Sequence, residues 1–267
     1  MRLSRGDEDG AAAGNQPLTR DQVLDEVAFL ITVEHALIVE YLSVSCALGY
    51  DLAGADGGPA DGPGRAAAAA AKNEADFLML RVAALVRALS ALRPTGGFDR
   101  AIEIADASGT EISLEPLSGR LEDLADRERA IAAAVDARYA RLIPAMAVSA
   151  SGEDAFSDDL RAAVQQGTNH ASAASAVLDP LAGQPIAGLL LATRRFGSTD
   201  GEKALSQASD RTYWLLTGAL ANFYGSLGGD DPGVFRSAAL NAMDILNLLN
   251  AAMVHAKLLP SFPRPRF

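Results

Sequence analysis

Cysteine is nearly absent. Cys46 is the single one in 267 residues, which excludes a disulfide framework and a cysteine-ligated zinc site. Histidine is scarce as well; His35, His170 and His255 leave little room for a histidine-rich metal centre. Positive charge is in deficit, with 23 Lys and Arg against 34 Asp and Glu for a formal charge of −11. Nothing basic is clustered enough to follow a phosphate backbone, so nucleic acid is not an expected partner. No apolar run approaches the roughly 20 residues that span a bilayer, and no signal-peptide core follows the charged start. The expectation is a cytoplasmic protein with no membrane partner. Gly-rich phosphate loops and nucleophile elbows are missing too; Gly64–Ala71 reads as a loop running into a helix. What the chain has in quantity is apolar residues, 49% of the total, enough for one large buried core.

The helical period dominates. Residues 1–16 are polar and aperiodic and read as a disordered tail; 17–260 read as one helical domain, and 261–267 as a C-terminal tail. Thr19 is placed to cap the first helix, with Gln22 three residues on completing a capping box, and the pattern runs to about Tyr50. A loop dense in Gly and Pro (51–64) precedes a second helix from about Arg65 to Leu92, stopped by Pro94 to Gly97. Residues 98–118 read as irregular, with Thr110–Leu114 as a short extended piece. A third helix covers about Ser118 to Ala147, with Pro144 in its last turn. A fourth starts after Ser157, with Asp158 and Asp159 favouring its N-terminal dipole, and runs unbroken to Asp179-Pro180. After a Gly/Pro-punctuated connection (181–202) come two more helices, about 203–227 and 233–258, the last opened by Asp231 and Pro232. Four helices of ~24–32 residues are ~35–48 Å long, so the expected fold is an all-α four-helix bundle with two additional C-terminal helices.

Bundle helices bury positions spaced alternately three and four residues apart. The best seams are Val23-Val27-Leu30-Glu34-Leu37-Tyr41-Val44-Leu48, Ala71-Glu74-Leu78-Val82-Leu85-Leu89-Leu92, Leu121-Leu124-Glu128-Ile131-Val135-Tyr139-Leu142-Met146 and Leu160-Ala163-Gly167-His170-Ala174-Val177-Leu181. Each carries one ionisable group near its middle, so Glu34, Glu74, Glu128 and His170 are expected to converge at one depth, with Tyr41 and Tyr139 beside them. Two readings stay open. A buried unpaired carboxylate costs several kcal/mol, so the bland one has the glutamates exposed or neutralised by arginine, with Arg81 and Arg127 available. The sharper one is a polar centre built into the core. Carboxylates on facing helices suit hard cations, and the usual dinuclear pattern is a Glu on each of two helices and Glu-x-x-His on the other two. Here Glu74 is followed at that spacing by Phe77, and His170 is preceded at that spacing by Gly167.

With these positions in place, the chain resembles the ferritin-like domain of iminophenyl-pyruvate dimer synthases of bisindole biosynthesis and their short bacterial relatives. The resemblance rests on LITVEHALIVEYLSVSCALG (30–49), with Glu34-His35 and Tyr41-Leu42, on ISLEPL (112–117), on GTNHASA (167–173), and on Tyr213 with a final helix ending in Leu-Pro. It covers about residues 20–260. It implies a ferritin-like bundle, an enzyme of specialised natural-product metabolism acting on a small aromatic or amino-acid-derived substrate, and mono- or dinuclear iron. Glu34, Glu74, Glu128 and His170 match ligand positions, whereas Phe77 and Gly167 depart from the pattern.

The expected catalytic set is therefore Glu34, Glu74, Glu128, His170, Tyr41 and Tyr139. With iron bound it would be an oxidase or oxygenase; without it, clustered carboxylates raise one another's pKa and suit acid–base cyclisation or isomerisation. The alternative is a non-catalytic ligand- or partner-binding protein. A homo-oligomer is compatible with either. His35 reads as a helix-flank histidine bonded to a neighbour, with an inward turn as its rival role, and His255 as a surface residue. Cys46 reads as an inert small hydrophobe. Gln165, Gln166 and Asn169 are candidates to orient His170, and Tyr213 and Trp214 to pack the fifth helix on the bundle.

Overall fold

A computed structural model describes residues 18–48, 63–93, 99–114, 121–148, 156–181, 197–226, 233–256, 258 and 260. Both expected tails, the 51–62 loop, Pro94 to Gly97, the connection 182–196 and the Asp231-Pro232 helix start lie outside these residues. The described chain is mostly helical: α1 (Arg20–Ala47), α2 (Pro63–Ser90), a hairpin of β1 (Glu103–Ala105) and β2 (Glu111–Ser113), α3 (Leu121–Val148), α4 (Asp158–Gln165), α5 (His170–Leu178), α6 (Asp200–Gly225) and α7 (Gly233–His255). An all-α fold was the expectation, and the helix ends fall within a few residues of those read from the pattern.

Thr19 caps α1 as the motif requires. Its hydroxyl accepts from Gln22 N at 3.3 Å, and its own N–H donates to Gln22 Oε1 at 2.9 Å. α1 is apolar nearly all round, which fits a helix with neighbours on several sides: α2 along most of its length, then α3 and α7. The fourth corner is filled by α4 and α5, which pack on both α2 and α3. Ala67, Ala68, Ala71 and Ala75 are fully buried on α2, so the small residues there serve close helix approach.

The fourth helix is not continuous. α4 ends at Gln165 and α5 begins at His170, with a tight turn between them in which Gly167 N donates to Val164 O. The period of three and four runs through this turn unbroken, which is why one long helix was expected.

Thr110–Leu114 is extended, as read, but its partner was missed. Glu103–Ala105 pairs with it antiparallel, Ile104 opposite Ile112. Asp106 turns the hairpin by accepting from Ser108 N, Ser108 Oγ and Thr110 N, and Gly109 supplies the left-handed position at φ 85°. Buried Ile104 and Leu114 fasten the hairpin to the core beside α3.

α6 and α7 pack chiefly on each other and meet the bundle through Val39, Tyr213 and Leu246. Tyr213 packs as expected, whereas Trp214 is exposed. Two helices, Arg20–Cys46 and Gly233–His255, are long and apolar enough to cross a membrane by length and composition, contrary to the expectation that no run approaches that size. The interrupting polar residues are few enough for apolar neighbours to outweigh them. In α1 78% of the most apolar stretch is buried inside the fold against 28% in α7, so α1 is accounted for as a core helix.

Candidate functional site

Glu34 sits fully buried on α1 at the centre of a charge cluster drawn from four helices. Its Oε1 accepts from the Tyr139 hydroxyl at 2.7 Å and from Arg81 Nη1 at 3.1 Å, and lies 3.2 Å from His170 Nε2. The same His170 Nε2 is 2.9 Å from Arg81 Nη1. On the far side of the ring, His170 Nδ1 is 2.9 Å from Asp136 Oδ1. A carboxylate only accepts, so Nδ1 carries a proton whatever the state of Nε2. Neutral His170 takes an N–H from Arg81; the imidazolium donates to Glu34.

Burial opposes charge on this ring, but the Asp136 and Glu34 carboxylates outweigh it and hold the His170 pKa above the ordinary histidine value, with Arg81 opposing. Burial likewise pushes Glu34 up, yet His170, Arg81 and the Tyr139 hydroxyl bring its carboxyl below the usual range. With His170 protonated, two cations face two carboxylates. That balance makes so polar a cluster tolerable in a bundle core.

The break in the fourth helix serves this site. A helix N-terminus exposes unpaired N–H groups, and Asn169 at the N-cap makes no side-chain capping bond. Asp136 of α3 substitutes across the interface. Its Oδ1 accepts from His170 N and its Oδ2 from Ala171 N, both at 3.0 Å. The same carboxylate thus starts α5 and fixes the ring of its first residue. Gln165, Gln166 and Asn169 are exposed and do not orient His170.

Gly167 is a packing requirement. The Tyr139 ring lies stacked on His170, centroids 5.8 Å apart, and a Cβ at 167 would fall 2.3 Å from Tyr139 Cδ1 and Cε1. Gly167→Ala should therefore push the tyrosine off Glu34 and cost about 1–3 kcal/mol. Chemical denaturation checks this, and an unchanged midpoint would contradict the packing.

The expected convergence is partial. Glu34, Tyr139 and His170 meet. Glu74 is half-buried on α2, and burial raises its carboxyl pKa, with Arg81 and His170 pulling it down and Glu34 pushing it up; it borders the cluster. Phe77 is 44% exposed, its ring 5.0 Å from the Arg81 guanidinium. Glu128 belongs to a second buried group with Glu40, six residues or ~9 Å further along α1. Arg127 Nη2 is 2.9 Å from Glu40 Oε2 and 3.7 Å from Glu128 Oε1. Burial and the adjacent Glu40 hold the Glu128 carboxyl well above the usual range, with Arg127 opposing. Tyr41 lies between the two groups; burial, then the fields of Glu128, Glu74, Glu40 and Glu34, push its hydroxyl well up.

His35 turns away from the cluster. Its Nδ1 donates to Asp99 O at 2.9 Å and its Nε2 accepts from the Tyr213 hydroxyl at 2.8 Å, tying α1 to the segment before β1 and to α6. It is the neighbour-bonded histidine of the two readings. His255 is exposed, and burial pushes the Cys46 thiol up to about 12, which leaves it unreactive.

This arrangement does not fit the iron centre that the resemblance implies. Arg81 places its own cation against both Glu34 and His170, and Glu128 is engaged elsewhere with Arg127 and Glu40. Among the described residues, no group of three or more His, Cys, Asp and Glu side chains is disposed to hold a metal ion. Arg81 was expected only as a counter-ion, and Asp136 and Glu40 lie off the expected seams. Arg81 stands seven residues after Glu74 on the same side of α2, which is the one signal that could have placed it inside. No known family profile, curated protein or solved structure matches this chain.

Proposed function

We propose that the chain is a ferritin-like bundle enzyme whose core cluster performs acid–base chemistry, without net oxidation, on a small aromatic or amino-acid-derived molecule. One observation carries this. His170 Nε2 stands within hydrogen-bonding distance of a cation, Arg81, and an anion, Glu34, while Asp136 anchors Nδ1. A proton can be added or removed at Nε2 without turning the ring, and the Asp136 and Glu34 carboxylates hold the pKa of that exchange above the ordinary histidine value. Asp136 and Glu34 hold the imidazolium side of the equilibrium. Glu74, half-buried beside them, is the carboxyl that links the cluster to solvent. Isomerisation and ring closure are reactions that such a group can drive.

Small-molecule extracts from host cells producing the wild type, His170→Asn or Glu34→Gln test the reading. A product present with the wild type is expected to fall at least ~100-fold with either variant, the usual scale of lost general acid–base catalysis. Identical extracts from all three would leave a binding protein.

A further inference from the structure

α7 carries more apolar surface than the fold uses. Its inner face is settled: Ala239, Ala242, Leu246, Asn250 and Met253 are buried at spacings of three and four. The outer face is nearly as apolar. Val234 is 63% exposed, Leu240 47%, Ile245 52% and Leu248 64%, and only 28% of the helix's most apolar stretch is buried. Monomeric proteins seldom leave so continuous an apolar face to water. Two charges lie along it. Arg236, Leu240, Asp244 and Leu248 follow one another at four-residue steps and are all exposed, so they form one row on the helix surface. Within that row Arg236 and Asp244 are two turns apart, too far for the pairing that three- and four-residue spacing gives.

The charge pattern says what covers this face. With a formal charge of −11, two copies of the chain repel one another over most of their surfaces. The row on α7 is balanced, one arginine against one aspartate, and it is self-complementary. Two α7 helices laid antiparallel about a two-fold axis near Leu240 bring Arg236 of each beside Asp244 of the other, because both residues stand four positions from the axis. Leu240 then packs on its own copy, and Ile245 and Leu248 reach the opposite Val234. A parallel pair in register would instead set arginine against arginine and aspartate against aspartate. A lipid surface fits less well, since helices that lie on membranes carry Lys and Arg along their polar side, and here Asp244 offsets the one arginine. We infer that the outer face of α7 is a homodimer interface, on which the helix packs antiparallel against a second copy of itself. The contact is isologous, with Leu240 at the axis and an Arg236–Asp244 pair on either side.

Sedimentation equilibrium of the full chain tests the interface. The wild type is expected to dimerise in a concentration-dependent way. Leu248→Glu is expected to raise the dissociation constant roughly 100-fold or more, because each copy brings a charge that must shed water in the contact. The position is exposed in the single chain, so this variant is expected to fold as the parent does. Arg236→Asp sets acid against acid at both ends of the row and is expected to weaken the dimer roughly tenfold. The double variant Arg236→Asp/Asp244→Arg only exchanges the two charges and is expected to return the constant to within a few-fold of wild type. Residues two turns apart do not meet within one helix, so that rescue reads contact between copies. A wild type still monomeric at roughly 0.1 mM, a dimer indifferent to Leu248→Glu, or a double variant as weak as Arg236→Asp would each overturn the inference. Flotation of the chain with phosphatidylcholine vesicles, abolished by Leu248→Glu, would overturn it too and give the face to lipid.

Discussion

Arg81→Met is expected to cost about 3–5 kcal/mol of folding stability, the scale of stripping one partner from a buried ion pair. Removing this cation leaves the Glu34 carboxylate in a core it entered only as part of a balanced set. Methionine fills much of the arginine's volume, so the loss reports charge and hydrogen bonding more than packing. The contact with the Phe77 face goes too, at about 0.5–1 kcal/mol. The double variant Arg81→Met/Glu34→Gln is expected to be more stable than Arg81→Met, because it no longer buries an unpaired carboxylate. Urea unfolding at neutral pH checks both. A single variant as stable as the parent would mean that Glu34 reaches solvent or another cation.

Lowering the pH from about 6.5 to 4 is expected to remove about 3 kcal/mol of stability through His35 alone. Burial lowers its pKa from the model-peptide value of 6.5 to about 4, aided by Arg100 and opposed by the Asp99 contact. The unfolded chain therefore binds a proton in this interval that the folded chain refuses. Stability is fully present above the unfolded pKa and is lost as pH falls, at about 1.4 kcal/mol per pH unit until the folded pKa is reached. His35→Gln has no such proton to bind. It is expected to be less stable at pH 7, where the bridge from Asp99 to Tyr213 is lost, and to show a shallower acid limb. Equal slopes for the two proteins in urea unfolding would place the acid sensitivity elsewhere. His170 acts with the opposite sign: its raised pKa adds stability that is present below the unfolded value and lost as pH rises through the folded one.

The helices were legible because their determinants are local. The Thr19–Gln22 box and the spacing of apolar residues act within one or two turns. The meeting of Glu34, Tyr139 and His170 was legible for the same reason, since three seams of correct period bring their middle residues together. What escaped depends on contacts across helices. The break before His170 is stabilised by Asp136, thirty-four residues away, and no local signal reports that an α3 carboxylate will cap α5. Arg81 falls next to Val82 of the seam, and its long side chain reaches inward from there. Glu128 was read at the level of Glu34 because seams fix which face is buried more firmly than how far one helix slides along another. Its partner Glu40 was overlooked because the seam assigns only one stripe to α1, whereas that helix is buried on several sides.

The claim on which the rest depends is that His170 is a polarised imidazole held between Asp136 and the Glu34–Arg81 pair. Nitrogen NMR of histidine-labelled protein, titrated across neutral pH, tests it most directly. Nδ1 of His170 is expected to stay protonated throughout, while Nε2 alone titrates, above the ordinary histidine value. A His170 that titrates below that value, or whose neutral form carries its proton on Nε2, would contradict it.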